Sequence, residues 1–461
     1  MTLWSAKDAA AATGGQAIGD WSVTGFSIDT RTIQPGEMFV ALQAARDGHD
    51  FAAQALDKGA GAALVSRIPE GCEGRPLLLV EDVQAALEAL GRAGRARTGA
   101  RVIAVTGSVG KTSTKEMLRH VLAAQGRTHA AIKSYNNHWG VPLTLAATPP
   151  DADFAVVEIG MNHPGEIGPL AKMAAPHVAM VTIVAPVHLE AFDDGIGGIA
   201  REKAAIFDGL VPGGTAIWNA DLETSPILAE KGSVSFGTTV ADWRLTQVVT
   251  GADSTACAAH GPHGDLMFRI GAPGAHFALN ALAVLAAVDA VGADVARAAL
   301  SLTDWTPPEG RGQRHAVTLD PDRPALDLID DAYNANPASV GAALDLLAAT
   351  QVPARARRIA ILGDMKELGP TAPDLHAALA ARPATEGVDQ VHTVGSLMKH
   401  LHDALPATRR GLHEDTAADM AAHLRDMVGP GDAVLVKGSL SMNMAILVDG
   451  LRALTDRSGE R

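Results

Sequence analysis

The chain has only two cysteines in 461 residues, Cys72 and Cys257, far apart and with no partner at metal-ligand or redox spacing. That excludes a disulfide framework and a cysteine-held zinc site, and points to a reducing compartment. Aromatic residues make up only 4%, so the interiors must close mainly through small aliphatic side chains, which suits helices layered on sheets. Positive charge is in deficit: 38 Lys+Arg against 52 Asp+Glu leave a formal net charge of −14. A general nucleic-acid or anionic-membrane surface is therefore not expected. Long hydrophobic runs are also missing, since the most apolar stretch, ALNALAVLAAVDAVGADVA, carries Asn280 and Asp289. The N-terminal MTLWSAKDAAAATGG has neither a basic lead nor a long apolar core. No export signal and no membrane span are expected, and the cytoplasm is the expected location.

What is present is enough apolar material to fold. With 47% hydrophobic and 20% charged residues, wholesale disorder is excluded, and the length suits about three domains. Residues 1–98 contain short strand-like runs (WSVTGFSIDT, EMFVAL, GAALVS, PLLLVED) between Gly/Pro turns, with helices expected over 51–58 and 83–97. This reads as a small α/β domain. At Arg101 the pattern becomes a buried strand, a glycine turn and a helix (ARVIAVTG, then KTSTKEMLRHVLAAQG), opening a domain expected to span 99–310. Unalternating apolar runs at 154–159 and 178–184 predict central parallel strands. The Pro/Gly-rich TDWTPPEGRGQRH marks the next boundary. Beyond it, LDLIDDAY, RIAILGD, QVHTVG and AVLVKGS alternate with helical segments, which predicts a parallel, Rossmann-like sheet over 311–461.

The strongest chemical signal is TGSVGKTS, residues 106–113. Such a loop turns successive backbone N–H groups toward phosphate oxygens at a helix N-terminus. Gly107, Ser108, Val109, Gly110, Lys111, Thr112 and Ser113 form the candidate cradle, with Lys111 reaching the β/γ-phosphates and the Thr112 hydroxyl binding Mg²⁺. Val105 stands where the longer G-x-x-x-x-G-K-[ST] pattern has its first glycine, so only the shorter G-x-x-G-K-T form is met. Glu158 closes a strand at the edge where metal ligands gather. His188 follows another strand and Lys203 lies in a helix; taken singly, a structural role suits each as well as a functional one.

Taken in order, TGSVGKTS, VVEIGMN, HLEAF with REKAAIF, HFALNALA, RGQRH and DDAYNANP resemble the ATP-dependent Mur ligases of peptidoglycan synthesis, a three-domain α/β family, across essentially the whole chain. DAYNANP, SYNNHWGVP and GDMKELG resemble the branch that adds D-alanyl-D-alanine to UDP-N-acetylmuramoyl-tripeptide. The resemblance implies that Glu158 and His188 are Mg²⁺ ligands and Lys203 a carbamylated lysine. It also implies that His276 and Asn280 lie beside adenine, that Arg314 meets the nucleotide phosphates, and that Asp331, with Asp330 adjacent, lies near the ribose. By the same resemblance, Ser27, Asp29 and Arg31 hold the uridine nucleotide, and Asn136, Asn137 and His138 meet peptide and sugar groups. Tyr333, Asn334 and Asn336 then receive D-alanyl-D-alanine. One departure is Leu440, where chains of this branch commonly carry an arginine after Lys-Gly-Ser; Lys437 and Ser439 remain as donors.

The implied chemistry explains the absence of an enzyme nucleophile. A carboxylate is a poor acyl donor until it attacks the γ-phosphate of ATP; the acyl phosphate so formed yields to the dipeptide amine, leaving ADP and phosphate. Positive charge between the two anions, from Mg²⁺, Lys111 and Arg314, is what the phosphoryl step needs. A monomer is expected. The alternatives left open are another Mur-type or folylpolyglutamate-synthase-like amide ligase, and a P-loop regulatory ATPase.

Overall fold

The computed structural model of the chain describes residues 2–131, 133–187 and 189–454. The first 98 residues hold a five-stranded sheet in the order Gln16–Ile18, Leu77–Leu79, Ala62–Val65, Glu37–Val40 and Gly25–Ser27, parallel except for the first strand. The helix Val83–Arg97 packs beside it. Asp82 starts this helix by accepting the Ala85 N–H at 2.8 Å, and Arg95 and Arg97 lie in its last turn, where cations suit the helix dipole. Its Gly91 and Gly94 let the backbone lie against Pro142 and Leu145, where any Cβ would collide. Trp4 Nε1 donates to Ala146 O at 2.9 Å, and the Arg95 guanidinium donates to the carbonyls of Ala174 and Ala175. The first and central sheets are thereby fastened together.

The central sheet has nine strands, with Arg101–Thr106 between Val178–Val181 and Phe154–Glu158. Ile103 and Val105 enter one core with the helices Lys111–Ala123 and Ala275–Ala290; Val102 and Ala104 enter another with Ile167–Ala174 and Gly195–Ala204. A strand covered on both faces has no reason to alternate polar and apolar residues, which is why its run is continuous. The apolar stretch around Asn280 is a buried helix, and among the described residues no helix is long and apolar enough to cross a membrane.

Two antiparallel features accompany the mainly parallel sheets. Trp243–Thr250, Thr255–Gly261 and Gly264–Ile270 extend the central sheet as an antiparallel meander. In the third domain, Gln313–Val317 pairs antiparallel with Leu326–Asp331, and the other four strands of the six continue in parallel. Hairpin strands with one solvated face bury fewer apolar residues, so their sequences are more polar and less conspicuous.

Candidate active site between the central and third domains

The phosphate loop leaves the middle of the central sheet and meets the third domain across a cleft of about 680 Å³. Gly107 has φ +153°, and a Cβ there would collide with the Thr182 hydroxyl; Gly110, at φ +87°, lies against the Asn280 amide. These positions explain the glycines by space as well as by backbone conformation. Lys111 Nζ donates to Gly107 O at 2.7 Å. Burial lowers its pKa, Glu158 opposes that shift, and Arg311 adds to it.

The Glu158 carboxylate is 1% exposed and accepts from Thr112 Oγ1 at 2.9 Å and from Asn136 Nδ2 at 2.8 Å. Thr112 Oγ1 also shares a hydrogen bond with Ser134 Oγ at 3.0 Å, and Ser134 Oγ accepts from Arg311 Nη2 at 3.1 Å. A chain of polar contacts therefore runs from the strand end through the phosphate loop to the domain boundary. The segment carrying Ser134 and Asn136 is held from below by Lys115, which is fully buried. Its ammonium donates to Ala131 O at 2.5 Å and Lys133 O at 3.2 Å, and pairs with Glu116 at 2.8 Å.

Arg311, rather than Arg314, lines the cleft, with its guanidinium 4.1 Å from the centre of the Tyr333 ring. Arg314 lies opposite Ile329, so Asp327, two residues along the neighbouring strand, is its diagonal neighbour; Arg314 pairs with that carboxylate through two bonds and donates to Ala252 O at 2.7 Å. Its donors are thus committed outside the cleft. Arg311 precedes the strand, three positions before Arg314 in the same RGQRH segment. The two adjacent aspartates also separate. Asp330 is 3% exposed and caps the Gly310 and Ala332 N–H groups, whereas Asp331 faces the cleft and pairs with Lys437 at 2.7 Å. Burial raises the Asp331 pKa against the opposing pull of Lys437.

His276 and Asn280 line the same cleft at the start of their helix. Enclosure by protein, with Lys437 second, pushes the His276 imidazole down to about 4. Lys203 is 2% exposed, and burial reinforced by the Lys111 charge drives its pKa well below the ordinary lysine value, with Glu202 opposing. His188 lies outside the described residues.

The remaining predicted residues divide. Tyr333, Asn334 and Asn336 line the cleft, although Asn336 also caps the helix Pro337–Ala349 through Ser339, and Asn334 Oδ1 accepts the Ala335 N–H. Asn137 lines it too, while its Oδ1 receives the Trp139 and Gly140 N–H groups in a turn. His138 lines a separate cavity of about 790 Å³ with Arg92 and Lys172. Ser27, Asp29 and Arg31 lie away from the cleft: the Ser27 hydroxyl bonds Asp29, and Arg31, 86% exposed, pairs with Asp29 at 2.7 Å, holding that carboxyl down to about 2. Lys366, which no spacing rule singles out, lines the third-domain wall.

A phosphate loop on a mainly parallel sheet, faced across one cleft by a second parallel-sheet domain supplying cations and carboxylates, defines a P-loop enzyme of the multidomain ligase type. Residues 105–288 match the Mur ligase middle domain, and residues 316–440 match the Mur ligase glutamate ligase domain. The UDP-N-acetylmuramoyl-tripeptide–D-alanyl-D-alanine ligase of Escherichia coli (strain K12) is 35% identical over 94% of each chain. The enzyme of that name from Bacillus subtilis (strain 168) is 32% identical over 93% of each. A crystal structure of MurF from Acinetobacter baumannii superposes with a TM-score of 0.83 at 29% identity, covering 97% of this chain and 98% of that one. The chain belongs to the Mur ligase family.

Proposed function

We propose that the chain is the ATP-dependent ligase that joins D-alanyl-D-alanine to UDP-N-acetylmuramoyl-tripeptide, acting in the cytoplasm and releasing ADP and phosphate. The observation that carries this reading is the single cleft in which the phosphate loop, Glu158 and Asn136 face Arg311, Asp331 and Tyr333 of the third domain. Full-length similarity to chains of that named activity supports it. A regulatory ATPase has no use for a second wall rich in amide and cationic groups.

In this mechanism the loop N–H groups and Lys111 hold the phosphates, and Arg311 faces the charge that builds as the tripeptide carboxylate attacks the γ-phosphorus. The C–O–P bond forms as the bond to the ADP oxygen breaks; the amine then adds to the acyl carbon, loses a proton and expels phosphate. Thr112 Oγ1 and Glu158, 2.9 Å apart, form an oxygen donor pair that suits Mg²⁺. When bound there, Mg²⁺ neutralises phosphate charge. An ammonium at Lys203 would repel that cation, but its depressed pKa favours the neutral amine. That amine takes up CO₂ with loss of a proton, giving a carbamate whose oxygens are anionic ligands.

The test is phosphate release from ATP in the presence of UDP-N-acetylmuramoyl-tripeptide, with and without D-alanyl-D-alanine, while the nucleotide product is weighed by mass spectrometry. Phosphate release that ignores both acyl donor and amine, with no new peptide bond, sinks the reading. For the carbamate, Lys203→Ala should lose ligation and recover part of it with short carboxylates; full activity in the unrescued variant rules it out.

A further inference from the structure

We propose that Lys366, held by the buried carboxylate of Asp364, binds the free carboxylate of the dipeptide amino-substrate; this rests on the reading above and assigns a specificity contact within it. The dipeptide presents one amine, which must approach the acyl phosphate beside the phosphate loop, and one carboxylate at its far end. The far wall of the cleft belongs to the third domain, and among the described residues its cations are Arg311, Lys366 and Lys437.

Two of these are already committed. Lys437 is 2% exposed, pairs with Asp331 at 2.7 Å and donates to Asn334 O at 2.8 Å. Arg311 stacks on Tyr333 and donates toward Ser134 beside the phosphate loop. Lys366 differs: its side chain is 41% exposed, and it pairs with Asp364 at 2.9 Å. An ammonium has three donors, so that pair leaves capacity for a second anion.

Asp364 makes the lysine a fixed group. Its carboxylate is 1% exposed, and its other oxygen accepts the Met398 N–H at 2.7 Å. The backbone is anchored as well, since Lys366 N–H donates to Ser439 Oγ at 2.9 Å. Because Asp364 is buried and Lys366 lines the cleft, the pair offers its cationic end to an incoming carboxylate. Next to Ser439, Leu440 is 63% exposed in the same cleft and brings no charge, only apolar surface that suits alanine methyl groups.

The experiment compares D-alanyl-D-alanine with D-alanyl-D-alaninamide, which has the same shape and amine but a neutral end. Wild-type enzyme should show a KM for the dipeptide at least about tenfold below that for the amide, the size of one charge-assisted contact. Lys366→Met should raise the dipeptide KM to the amide's level and erase the discrimination. Lys366→Arg should keep it. An unchanged KM for ATP and for the UDP-substrate in both variants reads out an intact fold and cleft. The inference is overturned if Lys366→Met still discriminates as the wild type does, or if it weakens dipeptide and amide equally. A wild-type enzyme that makes no peptide bond with the dipeptide overturns the functional reading and this inference with it, whereas normal ligation with unaltered discrimination in the variant overturns this inference alone.

Discussion

Replacing Lys115 by methionine removes a charge at nearly constant length from a fully buried position, and its cost follows from the partners left behind. The ammonium serves Ala131 O, Lys133 O and Glu116. The buried Ala131 carbonyl would lose its donor, at ~1–3 kcal/mol, and the part-buried contact to Lys133 O would add less. Glu116 keeps Arg119, whose Nε lies 2.7 Å from its Oε2, so its loss falls at the low end. Removing the buried ammonium also lifts a desolvation penalty, and the net destabilisation should be about 3 kcal/mol. For a domain of this size that corresponds to a fall in melting temperature of ~6–12 °C. The functional effect should exceed what stability explains, because Lys115 holds the segment that delivers Ser134 to Thr112 and Asn136 to Glu158. Thermal melting by circular dichroism and ATP-dependent phosphate release below the transition measure the two effects separately. A melting shift under ~2 °C with normal turnover would refute the assignment of Lys115 as the clamp on this segment.

Separate substitution of Arg311, which lines the cleft, and of the sequence-predicted Arg314 tests which of them serves the site. Arg311→Ala should lower ligation turnover by about a hundredfold or more with little change in melting, while Arg314→Ala, losing its pair with Asp327, should cost about 1 kcal/mol of stability and leave turnover nearly intact; the reverse pattern restores Arg314 to the site. His392 is 1% exposed, and burial, with Arg357 and His402 adding to it, pushes its pKa down from 6.5 to about 4. The unfolded chain therefore takes up a proton below pH 6.5 that the native state refuses until about 4, so stability falls on acidification across that window. In urea unfolding, the stability of wild type relative to His392→Asn should drop by about 2 kcal/mol between pH 7 and pH 5, and a pH-independent difference contradicts the assignment.

The parallel cores of the central and third sheets were legible because central parallel strands and glycine-terminated turns leave strong local patterns, as at ARVIAVTG and AVLVKGS. The meander of residues 243–270 was not, since a strand such as Trp243–Thr250, with mostly exposed residues, mixes polar and apolar positions as a loop does. At the site, the phosphate loop and Glu158 could be read because their chemistry requires a fixed spacing from a strand end. Within RGQRH the resemblance points to Arg314 and gives no sign of Arg311, because the diagonal pairing of Arg314 with Asp327 is a tertiary contact. Lys115 is placed by the carbonyls of Ala131 and Lys133, and Lys366 by a cleft wall assembled from distant segments, so no local spacing identifies either. Asn336 shows the opposite difficulty, because its helix cap is a sufficient reason for an asparagine whether or not it also touches substrate.

The glycine-mediated contact of helix Val83–Arg97 with Pro142 and Leu145 bears on how this chain can be cut and recombined. Leu143 and Ala146 belong to the same hydrophobic core as Trp4, Leu87 and Leu90. A fragment beginning at residue 99 would expose Leu143 and Ala146, its own share of that core, and leave Ala146 O without Trp4. The first 98 residues are therefore not separable by sequence position alone, because the helix Gly140–Ala146 of the central domain closes their core. A graft that moves only the first sheet must match the Gly91 and Gly94 surface of its donor to the Pro142 and Leu145 surface of its host, or the joint will not close.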